Sequence, residues 1–224
     1  MSAPVFVQAL ALGLDPAWRR QPAAERHDDG CRFVEALTAA PVSTFAYSSV
    51  GLEPSVDLLL WRMAPAVDEL ESAAAALLAT GLGRWLHVSH ALLGRVGPSQ
   101  YVAKPTDQEQ SLFSGDRSRY LVVYPFTKSA DWYLMSREAR QGVMNEHMRV
   151  GRGYPMVRQV LAYSFGLDGQ DFVVAYETDD LAAFGELVRE LRGTESRRST
   201  VSDTPILLGV HRPPEEIVTL LGAP

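Results

Sequence analysis

Residues 124–159 read YPFTKSADWYLMSREARQGVMNEHMRVGRGYPMVRQ. A strand ends in Tyr124-Pro125, a loop carries Lys128, a helix starts near Asp131-Trp132, and His147 falls in its last turns. The chain then crosses a Gly/Pro break and enters a new strand at Val157-Arg158-Gln159. A phenol, an amine, an imidazole and a carboxamide are strung along one β-α-β segment, which can close them around a single pocket.

Outward from this segment the same grammar repeats. Upstream, the apolar run Val5–Leu12 reads as a strand, and Cys31, Phe33, Val34 and Leu37 mark one face of a helix over Trp18–Leu37. Strands follow at Ser43–Ser49 and Asp57–Met63, then a helix over Val67–Thr80 closed by Gly81, then a strand over Trp85–Val96. Downstream come strand Tyr120–Phe126, helix Trp132–Arg149, strands Val157–Phe165 and Asp171–Thr178, helix Leu181–Leu191 and strand Thr204–Val210. A terminal helix, Glu215–Leu221, follows Pro213-Pro214. Both halves run β-α-β-β-α-β. Tyr47-Ser48-Ser49-Val50-Gly51-Leu52 parallels Tyr163-Ser164-Phe165-Gly166-Leu167 at an offset of roughly 115 residues, as in an internal duplication. The expected fold class is α+β, two tandem ferredoxin-like modules packing their sheets together. Residues 1–104 form the first, 120–224 the second, and the polar stretch 105–119 links them.

At 224 residues the chain can bury a sizeable core. A net charge of -6 speaks against a general nucleic-acid or anionic-membrane binder. Cys31 is the only cysteine, so neither an intrachain disulfide nor a thiolate cluster is available. The N-terminal MSAPVFVQALALGLDPAWRR lacks a basic leader region, and no window approaches about 18 uncharged apolar residues. A cytoplasmic protein without a membrane span is expected.

His147 sits near a helix C-terminus, where the dipole favours a cation, although a solvent-facing histidine is the commoner role from spacing alone. Tyr124 interrupts an apolar strand; a core tyrosine with a satisfied hydroxyl is the commoner case there. Trp132-Tyr133 suits helix-start packing. Lys104, Arg119, Lys128, Arg197 and Arg198 would suit a polyanionic small ligand in an acidic chain, though most surface cations do nothing so specific.

From Tyr120 to about Leu221 the chain resembles the C-terminal half of the chlorite dismutase-like haem protein family, through VVYPFTKSADWY, RQGVMNEH, GRGYPMVRQ, SFGLDGQDFVVAYETDDLAAFGELVRELRGTES and DTPILLG. TGLGRWLHVSHALLGRVGPSQYV and Lys104 carry a weaker likeness in the first half. The resemblance implies paired ferredoxin-like modules forming a dimeric α+β barrel, assembled as homo-oligomeric rings, commonly pentamers. It implies His147 as the proximal iron ligand, Glu195 as the acid accepting its imidazole N–H, and Trp132 as the aromatic beside it. Chlorite-decomposing members carry a distal arginine where this chain reads Val157-Arg158-Gln159, and an aliphatic residue at the place of Tyr124. An amide can bond neutral peroxide but offers no cationic fork, and alternation along a strand turns Arg158 away from Gln159.

Tyr124, Lys128 and Gln159 together point to the coproheme decarboxylase branch. There, hydrogen peroxide oxidises the iron porphyrin, the tyrosine becomes a radical, and two propionates leave as carbon dioxide, turning coproheme into haem b. Tyr101, Lys104, Arg197 and Arg198 are the implied propionate anchors. The alternatives are chlorite conversion to chloride and oxygen, a haem-binding or haem-transfer protein without turnover, and a scaffold that has lost its cofactor.

Overall fold

In the computed structural model, which describes residues 5–99, 101 and 116–224, the strands in chain order are β1 (Val5–Leu14), β2 (Ser43–Glu53), β3 (Val56–Ala64), β4 (Leu86–Val96), β5 (Tyr120–Lys128), β6 (Arg158–Tyr163), β7 (Phe172–Thr178), β8 (Thr200–Ser202) and β9 (Leu207–His211). The helices are α1 (Ala23–Ala39), α2 (Val67–Leu78), α3 (Ala130–Leu134), α4 (Arg137–Gly151), α5 (Leu181–Arg192) and α6 (Pro214–Leu221). Two compact units result, Met1–Val96 with Leu207–Pro224, and Gly97–Ile206. No helix among the described residues is long and apolar enough to cross a membrane.

In the first unit β1 pairs antiparallel with β3 on one side and β4 on the other, and β2 pairs with β3. The order is therefore β4-β1-β3-β2, with β9 added against β2 through Tyr47–His211 and Ser48–Val210. Leu10, Leu12, Leu58 and Leu60 meet Phe33 and Leu37 of α1, Leu77 of α2, and Ile217 and Leu221 of α6 in one apolar core. Burying side chains of this size stabilises by about 1.5–3 kcal/mol each.

In the second unit β5 pairs with β7 and β8, and β6 pairs with β7. Read as β8-β5-β7-β6, this is the same order, fourth-first-third-second. The equivalent turns agree as well: Gly51 and Gly166 have φ of 74° and 71°, a left-handed conformation that glycine adopts without strain.

Several boundaries differ from the sequence expectation. The helix expected over Trp18–Leu37 divides into a 3-10 turn, Pro16–Arg20, and α1, because Pro22 takes the N-cap position and cannot continue a helix from Arg20. The helix expected over Trp132–Arg149 divides at Met135-Ser136, where Ser136 Oγ accepts from Ala139 N at 3.2 Å and restarts the helix. Gly81 is left-handed, but it opens a 3-10 turn into β4 two residues after the Ala79 cap.

The fourth strand of the second repeat is the short β8, and not residues 204–210. Residues 207–211 instead join the first unit, so the boundary expected between consecutive halves does not hold at the C-terminal end. Gly209 permits this pairing: a Cβ there would lie 2.6 Å from that of Tyr47. Of the expected linker, residues 105–115 lie outside the described residues.

Candidate functional site

Alternation along β5 places Tyr124, Phe126 and Lys128 on one face, and the pairing Tyr124–Val174 and Phe126–Phe172 sets β7 beside them. Gln159 on β6 pairs with Tyr176. These residues, with Met144, His147 and Met148 of α4, line a cavity of about 260 Å³ within the second unit. None of the residues of α4 is fully buried; its inner side, Arg140, Met144, His147 and Gly151, recurs at helical spacing and faces the cavity.

The Nδ1 of His147 is buried without a hydrogen-bond partner among the described residues. Burial, and secondarily the charge of Lys128, lowers its pKa to about 4, so the imidazole is neutral with a lone pair available near neutral pH. Glu195, expected to accept the imidazole N–H, does not reach it. Its carboxylate is half-exposed and lies 3.4 Å from Arg198 Nε, while its backbone N donates to Glu146 Oε2 at 3.1 Å. The 3-10 turn Glu195–Ser199 instead presents Ser196, whose carbonyl and Oγ accept from Lys128 Nζ at 2.8 and 3.1 Å.

Lys128 is buried, with Nζ 4.4 Å from the ring centre of Trp132 and 5.1 Å from that of Phe126. Burial, then the charge of Arg197, lowers its pKa to about 8. Trp132 is buried as well. The ring of Tyr124 stacks on Tyr176 at 5.8 Å between centroids and 26° between planes. Burial first, then Tyr176, pushes the Tyr124 phenol well above its ordinary range, so it is protonated at neutral pH.

Gln159 lines the cavity and Arg158 does not. Arg158 Nη2 turns to the other face and donates to Glu177 Oε2 at 2.8 Å and Ser118 Oγ at 2.9 Å. Glu177 is fully buried and also meets Arg117 at 3.5 Å. Of the remaining expected residues, Tyr101 and Arg197 line the cavity, Arg197 Nη1 lying 2.5 Å from Asp203 Oδ2. Arg198 is exposed on Glu195 and does not line it, and Lys104 lies outside the described residues.

Sequence reasoning missed Tyr176, Ser196, Arg140, Arg192 and Asp203, all of which line the cavity. Tyr176 could have been found as the aromatic two positions beyond Val174 on a strand, and Arg140 as the cation seven residues before His147. Among the described residues the cavity wall carries Lys128, Arg140, Arg152, Arg192 and Arg197 against one carboxylate, that of Asp203, in a chain of net charge -6. Aromatic walls, one neutral imidazole and an excess of cations suit a flat, apolar, polyanionic ligand with a metal to ligate.

Comparison with known proteins follows the same lines. Residues 23–212 match the protein family described as chlorite dismutase. A coproheme decarboxylase from Mycolicibacterium smegmatis is 30% identical over 181 residues, 78% of this chain and 75% of that protein. A chlorite dismutase from Ideonella dechloratans is 27% identical over 233 residues, 99% of this chain and 82% of that protein. The crystal structure of a mutant chlorite dismutase from Candidatus Nitrospira defluvii superposes with a TM-score of 0.88 at 27% identity, over 97% of this chain and 95% of that one. With a family match over most of its length, this chain belongs to the chlorite dismutase family.

Proposed function

We propose that this chain is a peroxide-dependent coproheme decarboxylase, converting iron coproporphyrin III to haem b. The observation that carries it is the pairing of Tyr124 and Gln159 on the cavity wall, with Arg158 turned away onto Glu177. Oxyanion chemistry calls for a cationic fork at the Gln159 place, and the Gln159 carboxamide supplies only a neutral donor.

Members of the family bind haem or coproheme. The residues present fit such a group: His147 offers a neutral imidazole with an orphaned ring nitrogen, and the rings of Phe126, Phe172 and Tyr176 supply apolar walls. When bound, the iron porphyrin supplies the oxidising chemistry with hydrogen peroxide. His147 holds the iron, and Trp132 packs against Lys128 beside it. Gln159 donates to peroxide. Lys128 would neutralise the reacting propionate, whose charge beside Nζ would raise the lowered pKa of the amine again.

Tyr124 would give up its phenolic hydrogen atom to the peroxide-oxidised porphyrin, and the resulting phenoxyl would take a hydrogen atom from the propionate β-carbon. Transfer of one further electron to the same oxidant, with loss of carbon dioxide, would leave a vinyl group. Each propionate thus consumes one peroxide and one proton and releases carbon dioxide and two waters. Tyr101, Arg197, Arg198 and Lys104 are the proposed carboxylate anchors. Glu195 is the proposed acceptor for the His147 N–H, its carboxylate turning from Arg198 to the imidazole. We include in the same proposal the tandem ferredoxin-like ancestry of the two units, assembly as a homo-oligomeric ring, commonly a pentamer, and a cytoplasmic setting.

The test is to load apoprotein with ferric coproheme, titrate with hydrogen peroxide and follow the porphyrin by mass spectrometry. Two successive losses of carbon dioxide are expected, both abolished by Tyr124→Phe. Coproheme that is merely bleached would overturn the assignment, as would rapid oxygen evolution from chlorite.

A further inference from the structure

The five cations that the described residues place on the cavity wall differ in what already occupies them. Lys128 donates to Ser196, Arg192 and Arg197 both lie against Asp203, and Arg152 is exposed to water. Arg140 differs from all of them. Its Nε is buried without a hydrogen-bond partner, and no acid pairs with its guanidinium among the described residues. Its charge acts on the phenols of Tyr101 and Tyr133, both on the cavity wall: burial raises the pKa of each, and Arg140 draws it back down. A buried guanidinium N–H that bonds to nothing is unfavourable to keep, and its remedy is an acceptor of the right shape.

Arg140 precedes His147 by seven residues on α4, so both point from nearly the same side of the helix, about 10 Å apart along its axis. That spacing puts the guanidinium well away from an iron held by His147, where the rim of a macrocycle would lie. We infer that Arg140 anchors a peripheral carboxylate of the bound porphyrin. The planar fork matches a carboxylate through two parallel N–H···O bonds. The inference rests on the proposal that the cavity takes coproheme.

The experiment is an equilibrium titration of apoprotein, followed by porphyrin absorbance, with ferric coproporphyrin III and with its tetramethyl ester in mild detergent. Wild type is compared with Arg140→Met, which keeps the aliphatic stem, and with Arg140→Lys, which keeps the charge; thermal unfolding of each apoprotein checks the fold. Arg140→Met should weaken coproheme binding roughly ten- to hundredfold, the worth of a charge-assisted hydrogen bond, and leave the ester unchanged. Arg140→Lys should restore part of the loss.

Equal weakening for acid and ester would reduce Arg140 to a packing role and overturn the inference, as would no weakening for either. A wild type that takes up coproheme with a His147-dependent spectrum separates these outcomes from failure of the function itself. A wild type that binds neither porphyrin would overturn both.

Discussion

Helices α1 and α4 hold the same place in the two repeats, each following the first strand, yet α1 buries Phe33 and Leu37 while none of the residues of α4 is fully buried. The strands before them differ in the same way. Alternate positions of β1 carry Leu10, Leu12 and Leu14 into an apolar core, whereas those of β5 carry Tyr124, Phe126 and Lys128 to a cavity wall. The same β-α-β-β-α-β order is thus closed with aliphatic side chains in one unit and kept hollow in the other. The hollow holds about 260 Å³ that a ligand could fill. The hollow unit is therefore the one whose stability should answer to a ligand.

The largest expected effect separates the two helices directly. Phe33→Ala should destabilise by about 3–5 kcal/mol, because it empties a filled site, while Met144→Ala on α4 should change apoprotein stability by under about 1 kcal/mol. Urea unfolding of both variants measures this, and equal losses would mean that α4 packs as tightly as α1.

The next contrast concerns buried charge. Arg62 of the first unit is satisfied by neutral partners, donating to Gln8 Oε1 at 2.7 Å and Leu70 O at 2.8 Å. Glu177 of the second answers two cations, Arg117 and Arg158. Glu177→Ala should cost about 3 kcal/mol or more, since it removes the buried carboxylate that those two guanidinium groups share. Hydrogen exchange should place the loss in the second unit; a loss spread over β1 and β3 would break the contrast.

Ligand linkage comes third. Ferric coproheme at a hundredfold excess over its Kd should stabilise the chain by about 2.7 kcal/mol. Protection should rise in α4 and β5 and stay unchanged in α1. Uniform protection would show that the two units do not respond separately.

What the sequence disclosed follows the reach of each signal. Tyr124, Lys128 and Gln159 were reached through the family resemblance; local strand alternation served only to separate Gln159 from Arg158, and Lys128, expected in a loop, is the last residue of β5. His147 was legible as a helix residue, but not as a buried one, since α4 is too polar to look like a wall. Arg140 was hidden for that reason: on a charged helix, a cation facing a cavity looks like one facing water. The break at Met135-Ser136 carries neither Pro nor Gly, and β8 is three residues long, so neither leaves a periodic trace. The placement of Glu195 depends on which way a 3-10 turn aims each side chain, and the pairing of β9 with β2 joins residues about 160 apart. Both are decided by tertiary packing.

The last contrast tests the hollow unit through its proton balance. Folding lowers the pKa of Lys128 from 10.5 to about 8. Between those values the unfolded chain holds a proton that the folded chain has released, so apoprotein stability should rise with pH across that window. Below about pH 8 both states are protonated, and the folded one bears the full penalty of a buried ammonium ion among Ser196, Phe126 and Trp132. Lys128→Met should remove this slope, and urea unfolding between about pH 7 and 11 reads it. A flat wild-type profile, or the same slope in the variant, would sink the assignment. Bound coproheme should also flatten the slope, because a propionate beside Nζ favours the charged amine and closes the gap between the two pKa values. A slope that survived saturation with coproheme would mean that no carboxylate comes to rest against Lys128.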